Sequence, residues 1–169
     1  MDQNILREFL KNIINQSIVL KYIKFEANTN IEGKVEESSL QRMLKLEKIE
    51  VHLADIKAEN ASEELREELK ALIVQYEGKY KDVFKPNKDA PEDEEIPLVS
   101  AEFIYEIKLH LKSDNIFFEL NDSEKEELLE VFIGTTGKLM LFPYVRHLLH
   151  MLSLEAGINL PPLKPILIK

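Results

Sequence analysis

An α+β fold is predicted for this chain: four antiparallel strands, a long C-terminal helix packed on one face of their sheet, and a short N-terminal helix. Three observations carry it. Val99, Ala101, Phe103, Tyr105, Ile107, Leu109 and Leu111 alternate with Ser100, Glu102, Ile104, Glu106, Lys108 and His110, the period of a strand that is apolar along one whole face. Further on, Pro143, whose fixed φ suits a first helical turn, precedes Val145, Leu148, Leu149 and Leu152 on one helical face. Near the start, the apolar pairs Ile5-Leu6, Phe9-Leu10 and Ile13-Ile14 recur every four residues, which is an amphipathic helix face. A length of 169 residues suits one domain spanning 1–169, because two cores would be crowded.

Taken in order, residues 1–16 form the N-terminal helix and 17–120 the sheet. The first strand is Ile18–Ala27, with Val19, Ile23 and Phe25 on one side and Leu20 and Tyr22 on the other. Asn28–Ser39 is polar apart from Ile31 and Val35, a connection with two hydrophobic anchors and enough length to cross over something. Ile49, Val51 and Leu53 then face away from Glu50 and His52 in the second strand, and Leu72, Val74, Tyr76 and Tyr80 share a face of the third, Leu69–Tyr80. Between these strands, Ser62–Glu68 is a helical turn or a polar hairpin loop. Residues 85–97 hold three prolines and the acidic run Glu92-Asp93-Glu94-Glu95, a solvated loop. Helices fill 123–157: Ser123 and Glu126 have capping-box spacing, Gly134 and Gly137 break the first helix, Pro143 starts the next and Gly157 ends it. The tail 158–169, with Pro161, Pro162 and Pro165, is extended.

Composition excludes several functions. There is no cysteine, so thiolate nucleophiles, disulfides and cysteine metal clusters are out. A net charge of -9 opposes nonspecific binding to phosphate backbones and anionic lipids, and favours basic or unfolded partners. The aromatic residues Tyr76, Tyr80, Phe103 and Tyr105 neighbour Glu77, Glu102 and Glu106 rather than basic side chains, so they are core aromatics and no nucleic acid is expected. Without a secretory pattern or a stretch of about 20 apolar residues, no membrane insertion is expected and the location is cytoplasmic. His147 and His150 stand three apart with Glu155 beyond, but no His-Glu-x-x-His pattern completes a metal site. Glu63, Glu64, Glu67 and Glu68 form a solvated acidic face, and Gly134-Thr135-Thr136-Gly137 lacks the lysine of a phosphate loop. No enzyme activity, metal or cofactor is expected.

The order of these elements carries a family resemblance. The segment Leu141-Phe142-Pro143-Tyr144-Val145-Arg146, followed by Gly157 and Leu160-Pro161-Pro162-Leu163-Lys164-Pro165-Ile166, together with Ile23-Lys24-Phe25-Glu26-Ala27-Asn28 at a strand end, resembles SecB, the bacterial preprotein-export chaperone, and its relatives. It spans about residues 17–168, with specific motifs at both ends. The resemblance implies an antiparallel four-stranded sheet backed by a helix, a dimer of dimers, no cofactor, and an ATP-independent holdase for unfolded polypeptide clients. It implies a client groove at Ile31, Val35, Leu40, Met43, Leu44, Val51 and Leu53; packing in the core or at an edge explains such residues equally well. In the family, acidic positions on the first strand touch the translocase motor SecA. Glu26 keeps one, but Tyr22 replaces a usual aspartate, which argues against motor binding. The connections at 60–69 and 85–97 are longer than is typical, and the chain lacks the further helix of export chaperones after Lys169. These departures leave two alternatives: a relative dedicated to one client, such as the antitoxin of a toxin-antitoxin system, and a non-chaperone interaction module.

Overall fold

The computed structural model of the protein describes residues 3–28, 40–56, 69–84 and 95–158. Ile31, Val35, Glu63, Glu64, Glu67, Glu68, most of the acidic loop and the Pro-rich tail lie outside the described residues. Helix α1 (Gln3–Lys11) leads into strands β1 (Ile13–Ala27), β2 (Leu40–Ile56), β3 (Leu69–Phe84) and β4 (Ile96–Leu111). A 3-10 turn, Ile116–Phe118, precedes α2 (Asp122–Val131), a π-turn (Phe132–Gly137) and α3 (Lys138–Glu155). The strands form one antiparallel sheet in the order β1-β4-β3-β2, as expected of an α+β chain. In this order β1 and β2 are the two edge strands.

Contacts divide the chain into two compact units, and each takes part of every strand. The first unit comprises Met1–Val19, Lys48–Tyr76 and Tyr105–Met140. Its apolar centre includes Phe9, Leu72, Val74, Tyr76, Ile107, Leu109, Leu128 and Phe132. Phe9 meets Phe132 edge-on at 5.6 Å and Phe117 at 6.1 Å, so α1 is anchored through one ring. Asn115 ends this helix. Its side-chain amide donates to the carbonyls of Phe9 (3.1 Å) and Asn12 (3.2 Å), and its oxygen accepts from the Phe117 N–H (3.0 Å). The helix therefore stops at Lys11, not residue 16, and Ile13 and Ile14 open β1. The first Lys112–Asn12 backbone bond is 3.3 Å.

The second unit comprises Leu20–Glu47, Glu77–Ile104 and Leu141–Lys169. Val99, Ala101 and Phe103 are buried, as are Tyr80, Asp82, Val83 and, from α3, Leu141, Val145, Leu149 and Ser153. The four α3 positions recur every four residues, the single buried stripe of an amphipathic helix. Phe103 lies across Gly78, where a side chain would meet its ring, so a strand glycine serves here to admit an aromatic neighbour. The helix ends as its sequence indicates: Gly157 has φ +74, Gly157 N–H donates to Leu154 (3.0 Å) and Ile158 N–H to Ser153 (2.8 Å). This is a Schellman end.

Three helical expectations need correction. The cap of α2 is Asn121, not Ser123: the Asn121 oxygen accepts from Glu124 N–H and the Glu124 carboxylate accepts from Asn121 N–H, both at 3.0 Å. Gly134 and Gly137 do not break the helix but lie in the π-turn, which carries it on without interruption. Pro143 lies inside α3 rather than at its start; both Pro143 and Leu139, whose carbonyl it cannot serve, are exposed, so water can reach that end of the ladder.

Candidate functional site

Strand β2 carries all five of the described groove candidates, distributed over both faces. In the second unit Leu40 and Leu44 are half-buried on the side shared with Arg42, whereas Met43, 43% exposed, alternates to the other side. In the first unit Val51 is half-buried, and Leu53 is exposed together with Ile49. Leu40, Met43 and Leu44 therefore belong to the strand itself rather than to the connection before it. Met43, Ile49 and Leu53 are large apolar groups left in solvent on an edge strand, and each needs a reason to stay there.

On the opposite side of β2 lies a polar group with no local sequence signal. Arg42 Nε stands 3.5 Å from Asp82 Oδ1, and the Tyr80 hydroxyl donates to Asp82 Oδ2 at 2.6 Å. Asp82 is fully buried. Burial pushes its carboxyl above the ordinary 3.8, against the opposing pull of the Tyr80 hydrogen bond and the Arg42 charge. Burial also raises the Tyr80 hydroxyl, helped by its bond to Asp82. A raised carboxyl contributes stability that is full below its unfolded value and lost as pH rises through the folded one. Asp82→Asn mimics the protonated acid, so its stability relative to the native chain should rise as pH is raised through and above the ordinary carboxylate range. Urea unfolding at a series of pH values checks this, and a fall in the variant's relative stability would contradict it.

The first strand also leaves apolar groups in solvent: Ile14 and Val19 in the first unit, Leu20 and Tyr22 in the second. The uninterrupted run Ile18-Val19-Leu20 was the available signal, since a one-sided strand would alternate. Glu26 is exposed and bonded to Lys24 at 2.9 Å. The Lys24 hydrogen bond and charge hold its carboxyl below the usual carboxylate range, with a further bond from Ser100. In α3, Leu141 is buried, Phe142 and Arg146 half-buried, and Pro143 and Tyr144 exposed. Tyr144, His147, Met151 and Leu154 form an exposed stripe at intervals of three, four and three, the spacing of a helix-packing seam. His150 is half-buried, and among the described residues no group of three or more His, Asp or Glu could hold a metal ion. By length and composition the helix Asp122–Glu155 could cross a membrane, a test that the core helix of a soluble protein also passes; Leu128, Phe132, Leu141, Val145 and Leu149 along it are buried.

No protein-family model matches the chain, and no curated protein matches it in sequence. Its fold is similar to that of the Rv1957 SecB-like chaperone of Mycobacterium tuberculosis, solved in complex with a ChAD peptide from the Rv1956 HigA1 antitoxin. The two share 16% identity at a TM-score of 0.61, over 99% of this chain and 98% of that one. The fold is that of a SecB-like chaperone. Within that SecB-like fold, β1, β2 and α3 each carry exposed apolar groups, and Asp82 and Arg42 tie the β2 edge to β3.

Proposed function

We propose that the protein is an ATP-independent chaperone that binds non-native polypeptide through exposed apolar side chains. The observation that carries this reading is the likeness in fold, over nearly the whole chain, to a chaperone holding an antitoxin peptide. That complex favours a dedicated client, such as an antitoxin, over general holdase work or protein export. Met43 and Leu53, with Ile31, Val35, Leu40, Leu44 and Val51, are the proposed client contacts; many weak apolar contacts used together favour long unfolded chains over short peptides. SecA contact through Glu26 is the weaker branch of the reading, since Lys24 already engages that carboxylate. Met43→Ser with Leu53→Ser should weaken capture of a denatured client about tenfold, with assembly intact. Suppression of aggregation measures it with and without nucleotide. No suppression by the native chain at severalfold excess removes the general holdase, and binding of one partner that unrelated unfolded chains fail to displace identifies a dedicated one.

Assembly as a cytoplasmic dimer of dimers belongs to the same reading, with the Tyr144, His147, Met151 and Leu154 stripe covered by a second copy. Symmetric pairing is the usual solution for such a patch. Met151→Glu with Leu154→Lys should shift the mass seen by light scattering toward the monomer at micromolar concentration. An unchanged mass would place the interface elsewhere.

A further inference from the structure

Helix α1 commits only one of its faces to the core of the first unit. Phe9 is fully buried, whereas Gln3, Leu6, Arg7 and Leu10 share another helical face and line a concavity of about 550 Å³ with Val131 of α2. Leu10 also borders a second concavity of about 450 Å³, whose wall includes Ile13, Ile14 and Met140, so the two meet at Leu10 in one furrow along α1. Leu6, Leu10, Ile13, Val131 and Met140 are half-buried and Ile14 is exposed. The i,i+4 pairs Gln3–Arg7 and Leu6–Leu10 are ridges of the kind between which another helix packs, at a spacing that the period of a strand does not match. The nine residues of α1 run for about 14 Å, room for a partner helix of about three turns.

The charge of the furrow is opposite to that of the chain. Net charge is -9, yet among the described residues the one charged group lining either concavity is Arg7. Exposed lysines elsewhere face a carboxylate on their own element: Lys11 and Glu8 at 3.6 Å, Lys24 and Glu26 at 2.9 Å, Lys45 and Glu47 at 2.7 Å, Lys79 and Glu77 at 3.7 Å. Among the described residues Arg7 has no such pair. A cation at the rim of an apolar furrow complements a partner that brings apolar side chains and a carboxylate together. We propose that this furrow is a docking surface for an amphipathic helix of a partner protein, with apolar residues at i, i+4 and i+7 lying along Leu6, Leu10 and Val131 and a carboxylate on the flank that meets Arg7. The surface is separate from the client contacts on β2 and does not rest on the chaperone reading.

The probe is a labelled, alanine-based peptide of about 15 residues, long enough to be partly helical, with leucines at i, i+4 and i+7 and glutamates on both flanks; a twin peptide has lysines in place of the glutamates. Fluorescence anisotropy at low salt, where exposed charges are least screened, should show the glutamate peptide binding the native chain about fivefold more tightly than its twin. Arg7→Glu changes an exposed side chain and should reverse that preference. Leu10→Ser should weaken both peptides about fivefold, and Met43→Ser with Leu53→Ser should leave both unchanged. No binding of the glutamate peptide, equal binding of the twins, or a preference that survives Arg7→Glu overturns the proposal, whether or not Leu10→Ser folds. Loss of binding in the β2 variant overturns it too, by seating the peptide on β2. Should no peptide bind while Arg7→Glu lowers the mass seen by light scattering, the furrow belongs to a second copy of the chain and the proposal fails.

Discussion

Replacing Asn115 with leucine is expected to destabilise the chain by about 3–5 kcal/mol, because one fully buried amide serves three backbone groups and each group left unpaired costs about 1–3 kcal/mol. The substitution keeps the branched outline of the side chain, with bulkier methyl ends, and removes every donor and acceptor. The carbonyls of Phe9 and Asn12 lose their partner at the end of α1, and Phe117 N–H loses its acceptor at the start of the 3-10 turn. For a chain of this size the urea midpoint should fall by about 2 M. A loss under about 1 kcal/mol would mean that water takes over these bonds. Removing the Phe9 ring alone should free α1 without exposing the same polar groups, so the two variants separate anchoring by packing from anchoring by hydrogen bonds.

Gly78→Ala is expected to cost about 3 kcal/mol, at the upper end of ordinary overpacking. The added methyl occupies the space of the Phe103 ring, and Phe103 is almost entirely buried, so the ring cannot swing into solvent. Phe103→Leu vacates part of that space and should recover about half of the loss in the double variant. Thermal or urea unfolding of the four chains in the cycle reads the coupling. Simple additivity would show that the sheet relaxes around the methyl instead.

How far the fold is legible in the sequence depends on where each determinant lies. Strand β4 could be read directly, because seven alternating apolar positions admit no helical reading. The start of β1 could not: Ile13 and Ile14 continue the four-residue spacing of α1, and what stops the helix is Asn115, a hundred residues away in the chain. The cap of α2 was ambiguous because Asn121 with Glu124 and Ser123 with Glu126 have the same spacing, and only the reciprocal bonds of the first pair decide. Glycine and proline at 134, 137 and 143 are ordinary break signals, yet the π-turn and an exposed proline let one helix absorb all three. For the candidate site, alternation along β2 already separates Met43 from Leu40 and Leu44. The Arg42–Asp82 pair joins residues forty apart on different strands, and a period of two says which face each takes but not which residue it meets.

The sheet order has a consequence for synthesis. β1 is the first strand to leave the ribosome, but its neighbour β4 is the last: Asn12 pairs with Lys112 and Asn28 with Leu98. At roughly 5–20 residues per second, the 70 to 100 residues between these partners take roughly 4–20 s to translate. For that interval Ile18-Val19-Leu20 has no strand to join, while β2, β3 and β4 can form successive local hairpins as they appear. Closure of the sheet by β1 is then a late, long-range step, the kind that slows folding and leaves an apolar edge open to other nascent chains. A polypeptide whose own first strand must wait unpaired is itself a transient client for any holdase nearby.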